Sequence, residues 1–490
     1  MLAGAVCGCR DEAEVLAELA ESASDESAFR RLASAARAVA QRPDLGSVGT
    51  ERELDAISVT LRSALLRRAH RFADPHFRSP GYGPDRLLPS GEGVGYIYER
   101  GALATGLEAR IGASAPVPVG WSADHVAFSS GMAAISATLQ CYRAITRPTA
   151  VAPLRIGVWA AYYETDILLE LSRGEAFVPK KTPDLYLAAA GGEHEVLYIE
   201  PVRYDWDLTP MDLASFARAW RSRPDGTTRA ILLDTTLSSC SWSTADFLEA
   251  VADDRPLVVV ELRSGLKFDQ QGLELANVGL ASVYSRHEER ASLPAGLFGQ
   301  YLRVARSVSG SGLSMDALAV LDHAFVFDPQ WTRRHSDKVF VNNRRLASVI
   351  ADGGGGVFAR VGHPSLAAKG SLRDAPFVMC RLAEDSPTNH AFLLGVVRDL
   401  VDRERLPMVR GASFGFRAHR WEVILPKGER GGLFKVAMGA RSGPSAEALF
   451  ALFGRLAAFR DFAALRRAHP GIRAGNIGVE TSYCHSGKTE

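Results

Sequence analysis

Val258-Val259-Val260-Glu261-Leu262-Arg263-Ser264-Gly265-Leu266-Lys267 is an apolar run that ends on a serine and, three residues later, a lysine, with Gly272 shortly after. Three valines in a row followed by Glu-Leu read as a strand of an α/β sheet. An amine held just past a strand's end can condense with an aldehyde to form an imine. On its own the fragment reads more readily as a surface lysine in a loop, so the decision rests on what surrounds it.

About thirty residues upstream, AILLDTTLSS places Asp234 directly after an apolar run of four. That is the carboxyl end of a strand, where open α/β sheets hold their ligands. A carboxylate there can pair with a protonated ring nitrogen, although the same residue also reads as a helix N-cap. Further upstream, HVAFSSGMAAISATLQCYRA runs from a strand through Ser129-Ser130-Gly131-Met132 into a helix of small residues. Backbone N–H groups at such a start bind phosphate without a charged side chain.

Outward from this segment the pattern divides the chain into three. Residues 11–72 place Leu, Val, Ile, Phe or Ala at three- and four-residue spacing, in EVLAELAES, FRRLASAARAVAQR and ELDAISVTLRSALLRRAHRF, with a break at Pro43-Asp44-Leu45-Gly46. The Gly- and Pro-rich stretch at 77–96 is expected to hold no regular element. From about 105 to 330, RIGVWA, EVLYIE, AILLD and PLVVVEL alternate with helical segments such as DLASFARAWRS and TADFLEAVAD, the pattern of a doubly wound sheet. Beyond Trp331 come the long helix KVFVNNRRLASVIAD, a break at Gly353 to Gly356, the strands FVMCRL and RWEVIL, and the helix AEALFALFGRLAAF. The division expected is a helical N-terminal extension and arm at 1–90, a large α/β domain at 91–330 and a smaller α+β domain at 331–490.

The 490 residues, 47% of them hydrophobic, suffice for a large core, and the 57 Lys+Arg nearly cancel the 56 Asp+Glu. No global field steers the chain to nucleic acid or an anionic membrane, and no basic stripe is interleaved with aromatics, so a small-molecule substrate is expected. Six cysteines (Cys7, Cys9, Cys141, Cys240, Cys380 and Cys484) show no metal-ligand spacing and read as free thiols of a cytoplasmic protein. MLAGAVCGCRDEAEV lacks the basic flank of a signal peptide, and no window reaches the roughly 18 consecutive apolar residues of a membrane helix.

FSSGMAAI, IYER, AYYET, LLDTT and SGLK stand in the order, and at roughly the spacings, of the cysteine/methionine-metabolism enzymes that use pyridoxal 5′-phosphate (PLP). The chain resembles this family, which includes cystathionine γ-synthase, cystathionine lyases and methionine γ-lyase, over roughly residues 80–470. The resemblance implies fold type I, the aspartate-aminotransferase architecture, with Lys267 as the Schiff-base lysine. It places the backbone of Gly131 and Met132 on the cofactor phosphate with the Ser264 hydroxyl, with Ser130 beside them in the cofactor-binding set, and Asp234 on the pyridine nitrogen.

In the family's Tyr-Gly-Gly-Thr motif, here Tyr162-Tyr163-Glu164-Thr165, the first tyrosine stacks on the ring, so Tyr162 is the candidate for stacking and catalysis; the alternative is two tyrosines packing a helix start. Tyr98-Glu99-Arg100 resembles the Tyr-x-Arg element whose tyrosine and arginine reach the phosphate of the neighbouring subunit. That implies a homodimer or homotetramer; the alternative is a surface salt bridge of Arg100 with Glu99 or Glu108. Ser413-Phe414-Gly415 and Lys435-Val436-Ala437-Met438-Gly439 stand where the family holds the substrate α-carboxylate. The family's arginine is Lys435 here, a point charge without a bidentate fork. Either Lys435 takes that role or Arg417, Arg420 or Arg441 does, and a surface role is open for each.

Other family features are missing. Ala102-Leu103-Ala104-Thr105, Leu266 and Gln270-Gln271-Gly272-Leu273 replace conserved motif residues, and Pro201-Val202-Arg203-Tyr204-Asp205-Trp206 stands where an asparagine approaches the cofactor. The resemblance implies a transferase or lyase that performs γ-elimination or γ-replacement on a homoserine-, methionine- or S-adenosylmethionine-type amino acid. Carbon–carbon bond formation in specialised biosynthesis is one such outcome. The alternatives are a PLP-dependent aminotransferase and a catalytically silent relative that acts as a binding protein.

Overall fold

Runs such as Ala230–Leu233, with no polar residue, are stable only where both faces are covered. In the computed structural model, which describes residues 2–43, 45–81, 85–147, 152–174, 176–224, 229–253, 255–286, 293–368, 370, 372–424 and 432–474, they form the centre of a seven-stranded sheet. Its spatial order is Trp121–Phe128, Gly279–Arg286, Val258–Ser264, Ala230–Asp234, Val196–Ile199, Leu154–Trp159, Phe177–Lys181. Gly279–Arg286 alone runs against the other six. Period two decides the layers. Val196, Tyr198, Leu232, Val258 and Val260 face the helices Gly131–Thr146 and Ala295–Ser309. Leu197, Ile199, Ile231, Leu233 and Val259 face Phe216, Trp220, Phe247 and Leu248 on the opposite helices. Each fully buried aliphatic side chain contributes about 1.5–3 kcal/mol.

Three N-terminal helices, Leu2–Ala23, Ser27–Ala40 and Val48–Ala73, do not stand apart. Leu16, Phe29, Leu54, Leu61 and Leu65 share one core with Leu273, Leu275, Val278, Leu313, Met315 and Phe325. The segment at 77–96 departs from expectation: Arg86–Leu87 and Gly93–Val94 form a two-stranded antiparallel ladder. The tight turn between them, where Leu88 and Glu92 pair at 2.8 Å and Gly91 N–H donates to the Leu88 carbonyl at 2.9 Å, supplies the hydrogen bonds that allow it.

The C-terminal part carries a five-stranded sheet in the order Phe358–Gly362, Val378–Leu382, Leu433–Ala437, His419–Ile424, Met408–Arg410. The helices Pro329–Ala351, Pro387–Arg403 and Pro444–Ala457 supply Leu346, Leu393, Val397, Leu449 and Phe453 to its core. Asp44 and Cys484 lie outside the described residues; Cys7, Cys9, Cys141, Cys240 and Cys380 are free thiols. Among the described residues no helix is long and apolar enough to cross a membrane.

Candidate functional site

The two adjacent strands Ala230–Asp234 and Val258–Ser264 pair in parallel, with Asp234 opposite Leu262, so both motif residues emerge at the same carboxyl edge of the sheet. Beyond Ser264 the chain bends, and the Lys267 amine donates back to the Ser264 hydroxyl at 3.1 Å. Burial pushes the Lys267 ammonium down to about 8, against the supporting charges of Asp234 and Glu164. Asp234 is held from two sides. Its Oδ2 accepts from the Tyr198 hydroxyl at 3.0 Å and its Oδ1 from the Thr236 N–H at 3.0 Å. The Thr236 hydroxyl in turn accepts the Ser264 N–H at 3.0 Å, which ties the two strand ends together.

The helix Gly131–Thr146 starts against this edge. A Cβ added to Gly131 would lie 3.4 Å from the Ser264 Cβ. Ser130 caps the helix, its hydroxyl taking the Ala133 N–H at 3.1 Å and its carbonyl the Ala134 N–H at 3.1 Å. The N–H groups of Gly131 and Met132, which come before these, have no intrahelical partner. Gly279 makes the approach possible, because a side chain there would run into the Ser130 carbonyl. Ser130, Gly131, Met132, Ser264, Lys267 and Asp234 are therefore brought together.

Tyr162 stands at the start of the helix Tyr163–Leu171, its ring 5.2 Å from that of Tyr163 and 5.6 Å from that of Tyr204. Burial first, then Glu164, raises its hydroxyl pKa, so it stays protonated. Glu200 sets this geometry. Directly after the strand Val196–Ile199, its buried carboxylate accepts the N–H groups of Ala161 (3.0 Å), Tyr162 (3.2 Å) and Tyr204 (2.7 Å). Burial, with Asp234 adding to it, pushes Glu200 up to about 7, while those N–H donors favour its ionised form. Glu200 and Tyr204 carry no role in the motif reading. The logic that selects Asp234, a carboxylate straight after an apolar strand, selects Glu200 as well.

The turn Ser413-Phe414-Gly415 closes over the lysine from the C-terminal part. Gly415 has φ 74° and a Cβ there would stand 3.2 Å from the Lys267 Cβ, while the Phe414 ring centre lies 5.2 Å from the Lys267 amine. Lys435 reaches the same ring at 5.8 Å, but it is buried and donates to Glu422 at 2.7 Å and to the Tyr204 hydroxyl at 3.1 Å. Arg417 is also buried and pairs with Glu12 of the first helix. Arg420 pairs with Glu274 at 2.7 Å, and Arg441 with Asp55. Tyr98 and Arg100 lie on the surface around the turn Glu99–Gly101, with the guanidinium 5.4 Å from the Tyr98 ring centre. Glu99 is taken by Arg78 and by the Met315 N–H at 2.8 Å.

No protein-family model matches the sequence, and neither does any curated protein. Solved structures do match. A methionine gamma lyase from Micromonospora echinospora superposes with a TM-score of 0.51 at 17% identity, over 81% of this chain and 98% of that one. A cystathionine gamma-lyase from yeast superposes with a TM-score of 0.52 at 15% identity, again over 81% and 98%. At such identities the likeness is one of architecture, and the chain has that architecture, fold type I of the PLP-dependent transferases.

Proposed function

We propose that the protein is a cytoplasmic PLP-dependent enzyme of amino-acid chemistry that carries its cofactor on Lys267 and performs γ-elimination or γ-replacement on a homoserine-, methionine- or S-adenosylmethionine-type substrate. The observation that carries this reading is the Lys267 amine 3.1 Å from Ser264, beside Asp234 and the start of the Gly131 helix, at one edge of one sheet. The donor set fits the group. An amine suits the aldehyde, a buttressed carboxylate suits the ring nitrogen, and the N–H groups of Gly131 and Met132 with the Ser264 hydroxyl suit the phosphate.

When bound, the cofactor would supply an electron sink for negative charge at the substrate carbon that bears the amino group. The chain's own groups do the rest. Lys267, near 8, gives up and takes back a proton at Nζ with little penalty at neutral pH. Asp234, fixed by Tyr198 and Thr236, offers a carboxylate whose position is settled before any ligand arrives. Tyr162, kept protonated, presents a flat ring and a hydroxyl donor.

Tyr98 and Arg100 are proposed to serve the phosphate of a second copy in a homodimer or homotetramer. Their exposure supports this, as does the apolar stripe Leu297, Tyr301, Val304 and Val308 left open on the adjoining helix Ala295–Ser309. A division at about residues 90 and 330 goes with this reading.

The test is an absorbance spectrum of the purified chain before and after borohydride, beside Lys267→Ala. A visible band that borohydride removes is expected in the wild type and not in the variant. S-adenosylmethionine and O-acetylhomoserine, each as the free acid and as its methyl ester, are then added, and release of the γ-substituent marks the class. A wild type that shows no such band with added PLP sinks the reading.

A further inference from the structure

Among the described residues of the C-terminal segment that closes over Lys267, the cations Lys435, Arg417, Arg420 and Arg441 are each already matched by a carboxylate of the chain. Lys435 has Glu422, Arg417 has Glu12, Arg420 has Glu274 and Arg441 has Asp55. Arg203, next to Tyr204, reaches Asp205 at 3.9 Å and lies 5.9 Å from the Trp159 ring centre. Lys435 is the one that shares the Phe414 ring with Lys267, and it is sealed as well as neutralised. It is 2% exposed, hydrogen-bonded to Glu422 and Tyr204, and its amine lies 4.6 Å from the Phe377 ring centre.

Around it the rings form a continuous wall. Tyr162 meets Tyr204 at 5.6 Å, Tyr204 meets Phe377 at 5.1 Å and Phe377 meets Phe414 at 5.2 Å between centroids. A carboxylate pressed against this wall would lose its water and add a net negative charge beside the buried Glu422, with Lys435 already spent. A neutral group there loses far less.

We infer that the substrate offered to Lys267 has an amino group but no free carboxylate beside it: a carboxyl-masked amino acid, as ester, thioester or amide, or the corresponding amine. This rests on the reading of Lys267 as the cofactor lysine, and it narrows the homoserine-, methionine- or S-adenosylmethionine-type substrate proposed above to its carboxyl-masked or decarboxylated form. Glu422 takes the place a substrate carboxylate would otherwise occupy on Lys435, so it acts as a specificity-determining residue without touching the reacting atoms.

The experiment titrates the PLP-loaded full chain with methionine and glycine, each as free acid, methyl ester, amide and decarboxylated amine, and reads the shift of the visible band. Each value is divided by that of the same compound with free PLP in solution, which removes intrinsic differences in amine reactivity. Masked or decarboxylated members are expected to half-saturate at least about tenfold below the free acids, and the ester and amide arms against the amine arm tell the two sources apart. Glu422→Gln is expected to close that gap by improving the free acids. Free acids that bind as well as the masked forms, or no response from any member, overturn the inference while a borohydride-sensitive band leaves the cofactor reading standing. A chain with no such band overturns both. The wild-type comparison decides even if the variant does not fold.

Discussion

Arg417 and Glu12, 405 residues apart in the chain, form a buried ion pair. The arginine Nε donates to the carboxylate at 3.1 Å, one terminal nitrogen reaches the same oxygen, and the other donates to the Gln271 carbonyl at 3.3 Å. One guanidinium thus joins the first helix to the loop that follows Lys267. Gly415, two residues before it in the turn, accepts from the neutral ring of His335, whose Nε2 lies 2.9 Å from the Gly415 oxygen. The N-terminal helices are built into the support of the lysine.

Arg417→Ala leaves Glu12 buried without its partner and is expected to cost about 3–5 kcal/mol in urea unfolding. Glu12→Gln combined with Arg417→Met, which removes both charges, should cost less than that single change. The pH dependence has a definite sign. Burial alone would raise the Glu12 carboxyl, yet Arg417, with Lys338 and Arg441, holds it at about 2 against an ordinary 4.5. A carboxyl depressed on folding stabilises above its unfolded value and loses that contribution as pH falls through the folded one. About 3 kcal/mol is therefore present above pH 4.5 and gone near pH 2. The unfolding midpoints of wild type and Glu12→Gln, well apart at neutral pH, should converge over that window; a constant separation would refute the assignment.

Lys267, Asp234 and the Ser130–Met132 turn are legible in the sequence because each marks a place where period two gives way to a turn or to helical spacing, and such boundaries are local. The order of motifs then carries the fold, which the superpositions bear out. Glu12 with Arg417, and Lys435 with Glu422, are not legible in the same way. Glu12 sits in an ordinary amphipathic helix, and its partner is set by how that helix docks. Lys435 and Glu422 face each other because two antiparallel strands pair in one particular register, Glu422 opposite Lys435, which no local pattern announces. The short ladder at Arg86–Leu87 and Gly93–Val94 is hidden for another reason: glycine and proline, which argue against a strand, also make the tight turn that pairs two.

Gly415→Ala is expected to do more than strain a backbone. At φ 74° any side chain is disfavoured, and here the new Cβ would stand 3.2 Å from the Lys267 Cβ and from the Phe268 ring. Gly355→Ala is the control, since φ is 83° but nothing lies within 4 Å of the added carbon. Gly355→Ala should cost about 1 kcal/mol, the conformational part alone. Gly415→Ala should cost about 1–3 kcal/mol and also alter the band formed with PLP. Equal losses with an unaltered band would mean that the turn does not bear on Lys267.

Capture of PLP by the apoprotein requires the unprotonated amine, so its rate should rise with pH and level off above about 8, where burial has brought Lys267. The groups that act on this lysine make the assignment testable in both directions. Asp234, Glu164 and Asp269 favour its ammonium form and Lys435 opposes it. Glu164→Gln removes a supporting negative charge and should move the midpoint to lower pH. Lys435→Met removes a like charge that opposes the Lys267 ammonium, so its midpoint should move to higher pH. Stopped-flow absorbance of PLP binding from pH 6 to 10, roughly two units either side of that value, reads all three proteins. Shifts of opposite sign tie the titration to Lys267, because a distant group would not feel both substitutions, whereas unchanged midpoints would assign the titrating amine elsewhere.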